Sequence, residues 1–486
     1  MKTTLVSTMK LTGMILVAIS IAMLPPVLVC MYYGEYHTAA GFGHAIWGGL
    51  IVGFAMYLLS RAWKVNLRVR DGFMILTVCW LVASIFGAYP YLYCGAVHSP
   101  FDAFFEAASG FSTTGATIFD NVEVLPHGLL IWRSITSWLG GLGILVFAVA
   151  LMPTLGVNGT SVAEADKPSV KLDVMSPKTV RMLLGVLVSY TLLTLIELLL
   201  LRVGGMGLFD STIHSLGTIS TGGFSNYNDG IIHFGSVYPR LIIVIFMLIA
   251  GTNFTMFYSF SRRRLKAFTE DTEFKAYLLI LLLASVIVFA GLYFIETGWS
   301  HTGEAANSVF QVVSILTTTG YVADDYTAWP GFCQMILILL MVIGGCSSSV
   351  SSGNKVVRFV VVFKLMVRGV RTRLHSNVVK NLRLNNKDIP NDTVSAVANT
   401  MFLYMITVFI GAAVLTMEHV GLTDSFTLAI SLIGNVGPCS GATDVATSFA
   451  DLHAFTKTFL GFLMIAGRVE IYTVLVIFTP GFWRSE

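Results

Sequence analysis

Four stretches of this chain share one pattern: a short polar residue opens a helical segment, and a glycine follows thirteen positions later. Each helical segment has about a dozen residues, whereas a helix needs about 20 to cross a bilayer. Irregular backbone survives at membrane depth only where protein buries it or water reaches it. The pattern therefore predicts four re-entrant hairpins, each a half-helix followed by an extended strand. The pairs of polar residue and glycine are Asp102/Gly115, Asp210/Gly223, Asn307/Gly320 and Asp424/Gly437.

The composition places these hairpins in a membrane. Of the 486 residues, 55% are hydrophobic and 12% are charged, against roughly a quarter charged in a soluble domain. We therefore expect an all-α polytopic protein in contact with membrane lipid. The net charge of +3 is too small to indicate a nucleic-acid partner. The six cysteines include no CxxC pair, so they predict neither a disulfide framework nor a zinc site.

Apolar runs near twenty residues predict ten transmembrane helices. A hairpin follows the third, fifth, seventh and ninth run, so the unit of span, half-helix, strand and span occurs four times around a predicted pseudo-fourfold pore. The first two spans form an added N-terminal two-helix hairpin. The runs are 11–33, 44–60, 73–93, 129–152, 181–201, 241–260, 277–295, 332–367, 393–417 and 455–478. The predicted units are the hairpin at 1–70 and the pore repeats at 71–152, 153–260, 261–387 and 388–486.

The charged residues predict an orientation. Loops that join one repeat to the next are basic, as in the cluster Arg262, Arg263 and Arg264, and such loops stay in the cytoplasm. Segments after the four glycines carry acidic residues instead, for example Asp324 and Asp325. We therefore expect the strands to open outward beneath an acidic vestibule, with both termini cytoplasmic.

The strands have the chemistry of a filter for a monovalent cation. Backbone carbonyls can replace a hydration shell, glycine permits the necessary dihedrals, and threonine adds a hydroxyl on a stiff β-branched side chain. The half-helices end at the strands, so their negative dipole ends face the cation, and the four polar residues suit N-caps. Four unrelated loop turns are the alternative, which the matched spacing disfavours. The predicted cation ligands are Thr113, Thr114, Gly115, Thr221, Gly222, Gly223, Thr318, Thr319, Gly320, Asn435, Val436 and Gly437. The fourth segment lacks threonine, and we expect it to coordinate through its backbone.

The sequence phrases FDAFFEAASGFSTTGAT, ISTGGFS, VVSILTTTGY and GRVEIYTVLVIF resemble the Trk, Ktr and HKT superfamily of potassium transporters, and within it the TrkH-type membrane subunits. The resemblance extends from residue 11 to residue 478. It implies a bacterial inner-membrane location, potassium as the transported ion without an organic cofactor, a homodimer, and a cytosolic TrkA-like nucleotide-binding regulatory subunit. In that superfamily, glycine at each filter position accompanies potassium selectivity, and serine in the first repeat accompanies sodium passage.

A glycine- and serine-rich stretch interrupts the eighth apolar run. The apolar part, 332–343, is too short to cross a membrane, and the flexible stretch 344–355 follows it. We interpret this stretch as an intramembrane gating loop, as the resemblance also implies. A short span followed by a cytoplasmic loop is the alternative. The candidate gating residues in the loop are Gly344, Gly345, Ser348, Gly353 and Lys355.

Arg468 is a sixth candidate gating residue, because it lies about fourteen residues into the last apolar run. A charge at that depth is costly and should face the pore or a partner. We favour a positive charge beneath the filter, an interpretation that the resemblance supports. The alternative is a salt bridge to Glu470 or another acid, although residues two apart on one helix do not face each other.

Other charged residues in the apolar segments carry weaker predictions. Glu106 in the first half-helix and Arg133 in the fourth span either pair to hold the filter or reach the interface separately. We expect His214 to be a packing histidine and Glu197 to be solvated near an outer span end.

Three classes of function fit these patterns to different degrees. Gated potassium uptake fits best, and a sodium-coupled or weakly selective transporter of the Ktr or HKT kind is the alternative. An intramembrane enzyme fits poorly, because the sequence contains no HExxH or GxSxG motif and no paired catalytic carboxylates within its spans.

Overall fold

The computed structural model describes residues 2–61, 69–150, 177–260, 270–295, 303–374, 382–385, 387–437 and 449–483. These parts are helical, except for connecting turns and a small antiparallel ribbon of Arg383–Leu384 with Lys387–Asp388. Seven helical segments in them are long and apolar enough to cross a membrane, or eight if a bent pair near the C-terminal end counts as one span. The protein is therefore a mostly helical, multi-pass membrane protein.

Two groups of helices make up the described chain. The longer ones are Lys2–Ala22, Tyr36–Arg61, Val69–Gly87, His127–Ala150, Pro177–Val203, Thr272–Ile295, Val356–Leu374 and Asn391–Thr416. The shorter ones outside the hairpins are Leu24–Tyr33, Tyr89–Tyr93, Val237–Ala250, Phe254–Phe260, Gly331–Ile343, Ala454–Arg468, Ile471–Ile477 and Pro480–Trp483, with 3₁₀ turns at Val122–Val124 and Gly230–His233.

Four short helices occupy the predicted half-helix positions. Half-helices 1 to 4 are Pro100–Phe111, Leu208–Ile219, Gly303–Leu316 and Leu422–Gly434, with 12, 12, 14 and 13 residues. Their C-terminal parts lie in the interior, and in half-helix 1 every residue from 105 to 111 is buried. All four are thus as short as the sequence predicts, and their C-terminal ends point into the protein core.

The predicted N-caps are wrong. Ser99 caps half-helix 1 by accepting a hydrogen bond from the Phe101 N–H, and Asp102 is the third residue of the helix. Asp210 and Asp424 are likewise the third residues of their helices, and Asn307 lies further inside half-helix 3. A carboxylate in the first turn still favours the positive end of the helix dipole, so the helix signal was correct although the boundary was misplaced.

Several predicted spans are broken. The helix of the first is interrupted at Met23, before Pro25 and Pro26, which have no N–H to continue the helical ladder, although 4–33 still count as one candidate span. The span predicted at 241–260 ends at Ala250 and resumes at Phe254. The span predicted at 455–478 breaks after Arg468, where the flanking helices make an angle of 111°. Apolar content marked these segments correctly but carried no signal for the bends.

The N-terminal hairpin packs through small residues. Lys2–Ala22 crosses Tyr36–Arg61 where Gly13 and Gly53 meet, and a Cβ on either glycine would lie 2.7 Å from the carbonyl oxygen of the other. Small residues allow such close approach between membrane helices. Loop residues 62–68, 151–176, 261–269 and 375–381, which carry much of the predicted basic charge, lie outside the described residues.

Candidate cation-conducting site

The four glycines that end the hairpins form a closed ring of backbone contacts. Each glycine lies against the carbonyl that precedes the next glycine, and a Cβ on any of them would overlap that oxygen. The contacts run in chain order and return to the start: Gly115 to Gly222 O, Gly223 to Thr319 O, Gly320 to Val436 O, and Gly437 to Thr114 O. The four strands therefore converge, and the ring leaves no room for a side chain at these glycines.

The backbone geometry is the same in each strand. All four ring glycines have positive φ, at 80°, 64°, 79° and 103° in chain order. Two residues earlier stands a non-glycine residue in the left-handed region: Thr113, Thr221, Thr318 and Asn435 have φ of 56°, 53°, 55° and 52°. We name residues 112–115, 220–223, 317–320 and 434–437 glycine segments 1 to 4.

The left-handed residue ends each half-helix in a Schellman motif. In half-helix 1, the Thr113 N–H donates to the Gly110 carbonyl at 2.8 Å, and the Thr114 N–H donates to the Ser109 carbonyl at 2.9 Å. The other three half-helices repeat both bonds. Glycine usually occupies this position, and a left-handed threonine costs about 1–3 kcal/mol that the surroundings must offset. Such strain at three corresponding positions is typical of a functional site.

Asn435 gives the fourth segment the same geometry without threonine. Asparagine tolerates the left-handed region better than most residues. Its side-chain Nδ2 donates at 2.8 Å to both the Thr114 hydroxyl and the Met464 carbonyl. Asn435 therefore ties segment 4 to segment 1 and to the helix Ala454–Arg468.

The threonine hydroxyls of the glycine segments differ in their contacts. Thr114 and Thr319 each bond a hydroxyl within their own segment, Ser112 at 2.6 Å and Thr317 at 2.9 Å. The Thr113 and Thr221 hydroxyls are buried and have no hydrogen-bond partner in the described part of the chain. Burying such groups without partners is costly, so these oxygens are suited to act as ligands of a cation.

A buried ion pair braces the first two segments. Arg133 Nε lies 2.7 Å from Glu106 Oε1, and both side chains are almost fully buried. Glu106 accepts the Ile118 N–H, and Arg133 Nη1 donates to the Ser225 carbonyl at 3.3 Å. The pair thus connects the strand beyond segment 1 to the strand beyond segment 2, and of the two alternatives open for these residues the structure has the pair.

Corresponding positions in half-helices 2 and 3 make a similar link. His214 Nε2 lies 3.3 Å from the Ser225 hydroxyl, and its Nδ1 lies 2.9 Å from the Asp210 carbonyl. Gln311 Oε1 accepts the Ala323 N–H at 3.4 Å. His214 is therefore a packing histidine, as expected, and it secures the backbone beyond segment 2.

The irregular stretch 344–355 is a buried loop held by many hydrogen bonds. The Glu273 carboxylate accepts the Ser347 N–H at 2.6 Å and the Val357 N–H at 3.2 Å. The N–H groups of Cys346 and Val350 donate to carbonyls at the end of the helix Val237–Ala250 and just after it. The predicted break is present, and most residues of the stretch are buried.

The loop contacts the ring and Arg468 together. The Ser352 N–H donates to the Thr318 hydroxyl at 2.8 Å, so the loop reaches glycine segment 3. Arg468 Nη1 donates to the Val350 carbonyl at 2.6 Å and to the Ser352 hydroxyl at 2.7 Å. Lys355 Nζ bonds the Ser351 carbonyl within the loop. Sequence spacing had no signal for the Arg468 contacts, which join residues more than a hundred positions apart.

Glu470, the alternative partner predicted for Arg468, does not pair with it. Glu470 pairs with Arg358 at 2.6 Å, whereas Arg468 Nε and Nη2 have no hydrogen-bond partner in the described part of the chain. Arg468, Glu470 and Lys355 line one small cavity with the loop serines. The guanidinium is thus held at the loop by one nitrogen and leaves two donors for water or anionic groups.

Two further charged residues differ from their predicted environment. Asp102 pairs at 2.7 Å with Lys457 of the helix Ala454–Arg468, so it joins half-helix 1 to that helix. Glu197 was expected to be solvated, but it is fully buried, and neither carboxylate oxygen has a hydrogen bond in the described residues.

A closed ring of strained backbone, enclosed by apolar membrane-spanning helices, defines a polytopic membrane protein of the cation-transport class. The TrkH family model, described as cation transport protein, matches residues 40–484. The chain therefore belongs to the TrkH family of cation transport proteins.

Individual relatives agree over the whole length. The Trk system potassium uptake proteins TrkH of Halomonas elongata and of Escherichia coli K12 are each 33% identical over 98% of this chain and 99% of the relative. The crystal structure of the potassium transporter TrkH from Vibrio parahaemolyticus matches with a TM-score of 0.90 at 30% identity, over 99% of this chain and 100% of that one.

Proposed function

We propose that this protein takes potassium ions into a bacterial cell through a gated pore that passes through the ring of glycine segments. The ring itself carries the proposal, because a closed set of four left-handed turns with buried, unpartnered hydroxyls suits a dehydrated alkali ion. The relatives named as potassium uptake proteins support potassium as the ion. Uptake would follow the inside-negative potential, worth about 2.3 kcal/mol per charge for each 100 mV.

The proposed architecture has ten membrane spans: an N-terminal two-helix hairpin and four span, half-helix, strand and span repeats. The four matching half-helices and the structural likeness to a potassium transporter over 99% of the chain support it. The unit boundaries at 70, 152, 260 and 387 belong to this proposal. The basic loops favour an orientation in a bacterial inner membrane with both termini on the cytoplasmic side.

The proposed ligands are the twelve residues at 113–115, 221–223, 318–320 and 435–437. Backbone carbonyls before each ring glycine would supply most of the oxygens, and the half-helix dipoles would favour a cation at the centre. The unpartnered hydroxyls of Thr113 and Thr221 would add two more ligands.

The proposed gate is the loop 344–355 together with Arg468. The loop contacts segment 3 through Ser352 and is held by Arg468, so its release would open the space beside the ring. Gly344 and Gly353 have φ of 74° and 76° and close the neck of the loop, and Lys355 and Ser348 complete its left-handed turns. A homodimer with a TrkA-like nucleotide-binding ring on the basic loops would drive this movement.

Growth and flux measurements test the proposal. The chain should restore growth at low potassium in a host without potassium uptake, and purified protein in liposomes should carry potassium in preference to sodium. Gly115→Ser should lower that preference, because its Cβ would overlap the Gly222 carbonyl at a residue with φ of 80°. Gly43→Ser is the matched control, since no atom lies within 4 Å of its Cβ position.

The outcomes separate the alternatives. Equal permeability to both ions in the unchanged protein would favour the weakly selective transporter, and potassium flux that requires sodium would favour a coupled one. Absence of cation flux in liposomes and of growth rescue would overturn the proposal.

A further inference from the structure

The four half-helices differ at one position that contacts the strand beyond the ring. Six residues before each ring glycine stand Ser109, Gly217, Ser314 and Ser431. In half-helix 3, the Ser314 hydroxyl donates to the Tyr321 carbonyl at 2.7 Å; in half-helix 4, the Ser431 hydroxyl donates to the Gly437 carbonyl at 2.5 Å. A helix serine therefore anchors the strand at or just after the ring glycine in two repeats.

Half-helix 2 has glycine at this position and receives its hydroxyl from another repeat. A Cβ on Gly217 would overlap the hydroxyl oxygen of Tyr321 and lie 3.2 Å from the Phe224 carbonyl oxygen. The Tyr321 hydroxyl itself lies 3.4 Å from that carbonyl. Phe224 follows the ring glycine of segment 2, just as Tyr321 follows that of segment 3. The tyrosine hydroxyl thus stands where a serine at 217 would place its own.

The Phe224 carbonyl is the better acceptor of the single tyrosine proton. The hydroxyl also lies 3.3 Å from the His214 carbonyl, but that oxygen belongs to the helical ladder and accepts the Thr218 hydroxyl at 2.7 Å. A carbonyl oxygen has two lone pairs, so the His214 oxygen is already saturated. Both tyrosine distances are long for an O–H donor, and of these two carbonyls that of Phe224 is the one with a lone pair left to accept.

Both residues of this contact are buried, which raises the cost of breaking it. Tyr321 is 1% exposed and Phe224 is 2% exposed, so neither group can turn to water without opening the protein. The same tyrosine accepts the Ser314 hydroxyl at its own carbonyl, and Phe224 packs 4.2 Å from the Arg133 guanidinium. The contact therefore couples the backbone beyond segment 3 to the backbone beyond segment 2.

We infer that Tyr321 is a positioning residue for the second glycine segment and that Gly217 is the space its hydroxyl requires. The inference rests on the proposed function, because it makes ion selectivity depend on this bond. A net hydrogen bond is worth roughly 1 kcal/mol and a buried orphan acceptor costs up to about 3, so its loss corresponds to about a fivefold change in an equilibrium or more.

A double-mutant cycle tests the inference through the ratio of potassium to sodium permeability in liposomes. Tyr321→Phe should lower the ratio about fivefold, because the Phe224 carbonyl loses its donor. Gly217→Ser should lower it as well, because the new side chain overlaps the tyrosine hydroxyl. The double variant has both the space and a hydroxyl at the position found in half-helices 3 and 4, and should return to within about twofold of the unchanged protein.

Tyr404→Phe is the matched control. Tyr404 is also a buried tyrosine near the ring, but its hydroxyl has no hydrogen-bond partner in the described residues, and its removal should leave the ratio unchanged. Potassium-dependent thermal stabilisation of the purified variants gives a second readout, since an ion that binds the folded state raises its unfolding temperature. Tyr321→Phe should lose part of that potassium-dependent increment.

Two results would overturn the inference. One is an unchanged ratio and potassium increment in Tyr321→Phe; the other is a double variant no better than Gly217→Ser. Either would leave potassium selectivity of the unchanged protein intact. Failure of the proposed function is distinct, because the unchanged protein itself would then show no preference for potassium.

Discussion

Arg468 Nη1 lies 2.7 Å from the Ser352 hydroxyl oxygen, which joins the end of the helix Ala454–Arg468 to the buried loop at 344–355. Ser352 in turn donates its backbone N–H to the Thr318 hydroxyl. One serine therefore connects the guanidinium to the left-handed threonine of glycine segment 3. A change at Arg468 should reach the ring through two hydrogen bonds.

Arg468→Ala should raise basal potassium flux. The variant loses two charge-assisted hydrogen bonds to the loop, each worth about 1.5–3 kcal/mol, and removes a positive charge from the proposed ion path. If the closed position of the loop is destabilised by about 1.4 kcal/mol relative to the open one, the ratio of open to closed protein rises tenfold. Rubidium uptake into liposomes measures the change, with the exposed Arg371→Ala as control. Folded Arg468→Ala protein with unchanged flux would contradict the gate.

The Arg133 and Glu106 pair should dominate the stability of the first two repeats. Arg133→Met leaves a buried carboxylate without its partner, which costs about 3–5 kcal/mol. Combining it with Glu106→Leu removes both charges and should recover part of that loss. Thermal unfolding in detergent measures each free energy of unfolding.

The control for this pair is Arg383→Ala. Arg383 lies at the same 2.7 Å from Asp388, but both side chains are largely exposed, so its loss should cost less than about 1 kcal/mol. Equal destabilisation by Arg133→Met and Arg383→Ala would show that the buried pair has no special role.

The ion pair of Asp102 and Lys457 should stabilise the contact between half-helix 1 and the helix Ala454–Arg468. Asp102→Asn should destabilise the protein by about 2 kcal/mol, because the buried lysine loses its counter-charge. The exchange of both residues, Asp102→Lys with Lys457→Asp, restores opposite charges but places a lysine in the first turn of half-helix 1, against the helix dipole. It should recover only part of the loss in the unfolding temperature. Full recovery would exclude a contribution from the dipole.

Local sequence signals predicted the half-helices and the break at 344 well, because both depend on composition over about a dozen residues. The pairing of Glu106 with Arg133 was also within reach, since each is a costly charge in an apolar segment. The N-caps were misplaced because serine, glycine and aspartate near a helix start give overlapping signals. The bend after Arg468 had none, since the helix resumes at Ile471 with the same apolar character.

Contacts between distant residues were beyond prediction for a physical reason. Asn435 bonds Thr114 across 321 positions, and its role depends on ring geometry rather than on neighbouring residues. Gly217 has no distinguishing sequence signal, although its missing Cβ makes room for the Tyr321 hydroxyl. Glu197 had the position of a solvated end residue, yet packing buries it completely.

Gly353→Ala should open the proposed gate through the neck of the loop. Gly353 has φ of 76°, and its Cβ would lie 2.9 Å from the Gly344 Cα, so an alanine must both strain the backbone and push the neck of the loop apart. We expect higher basal potassium flux with a lower unfolding temperature.

Gly369→Ala provides the comparison, because this glycine lies inside the helix Val356–Leu374 with no atom within 4 Å of its Cβ position. It should leave flux unchanged and stabilise the helix by up to about 1 kcal/mol. If Gly353→Ala lowered the unfolding temperature while flux stayed at the level of Gly369→Ala, the neck would be a structural joint, and the gate would have to lie elsewhere on the ion path.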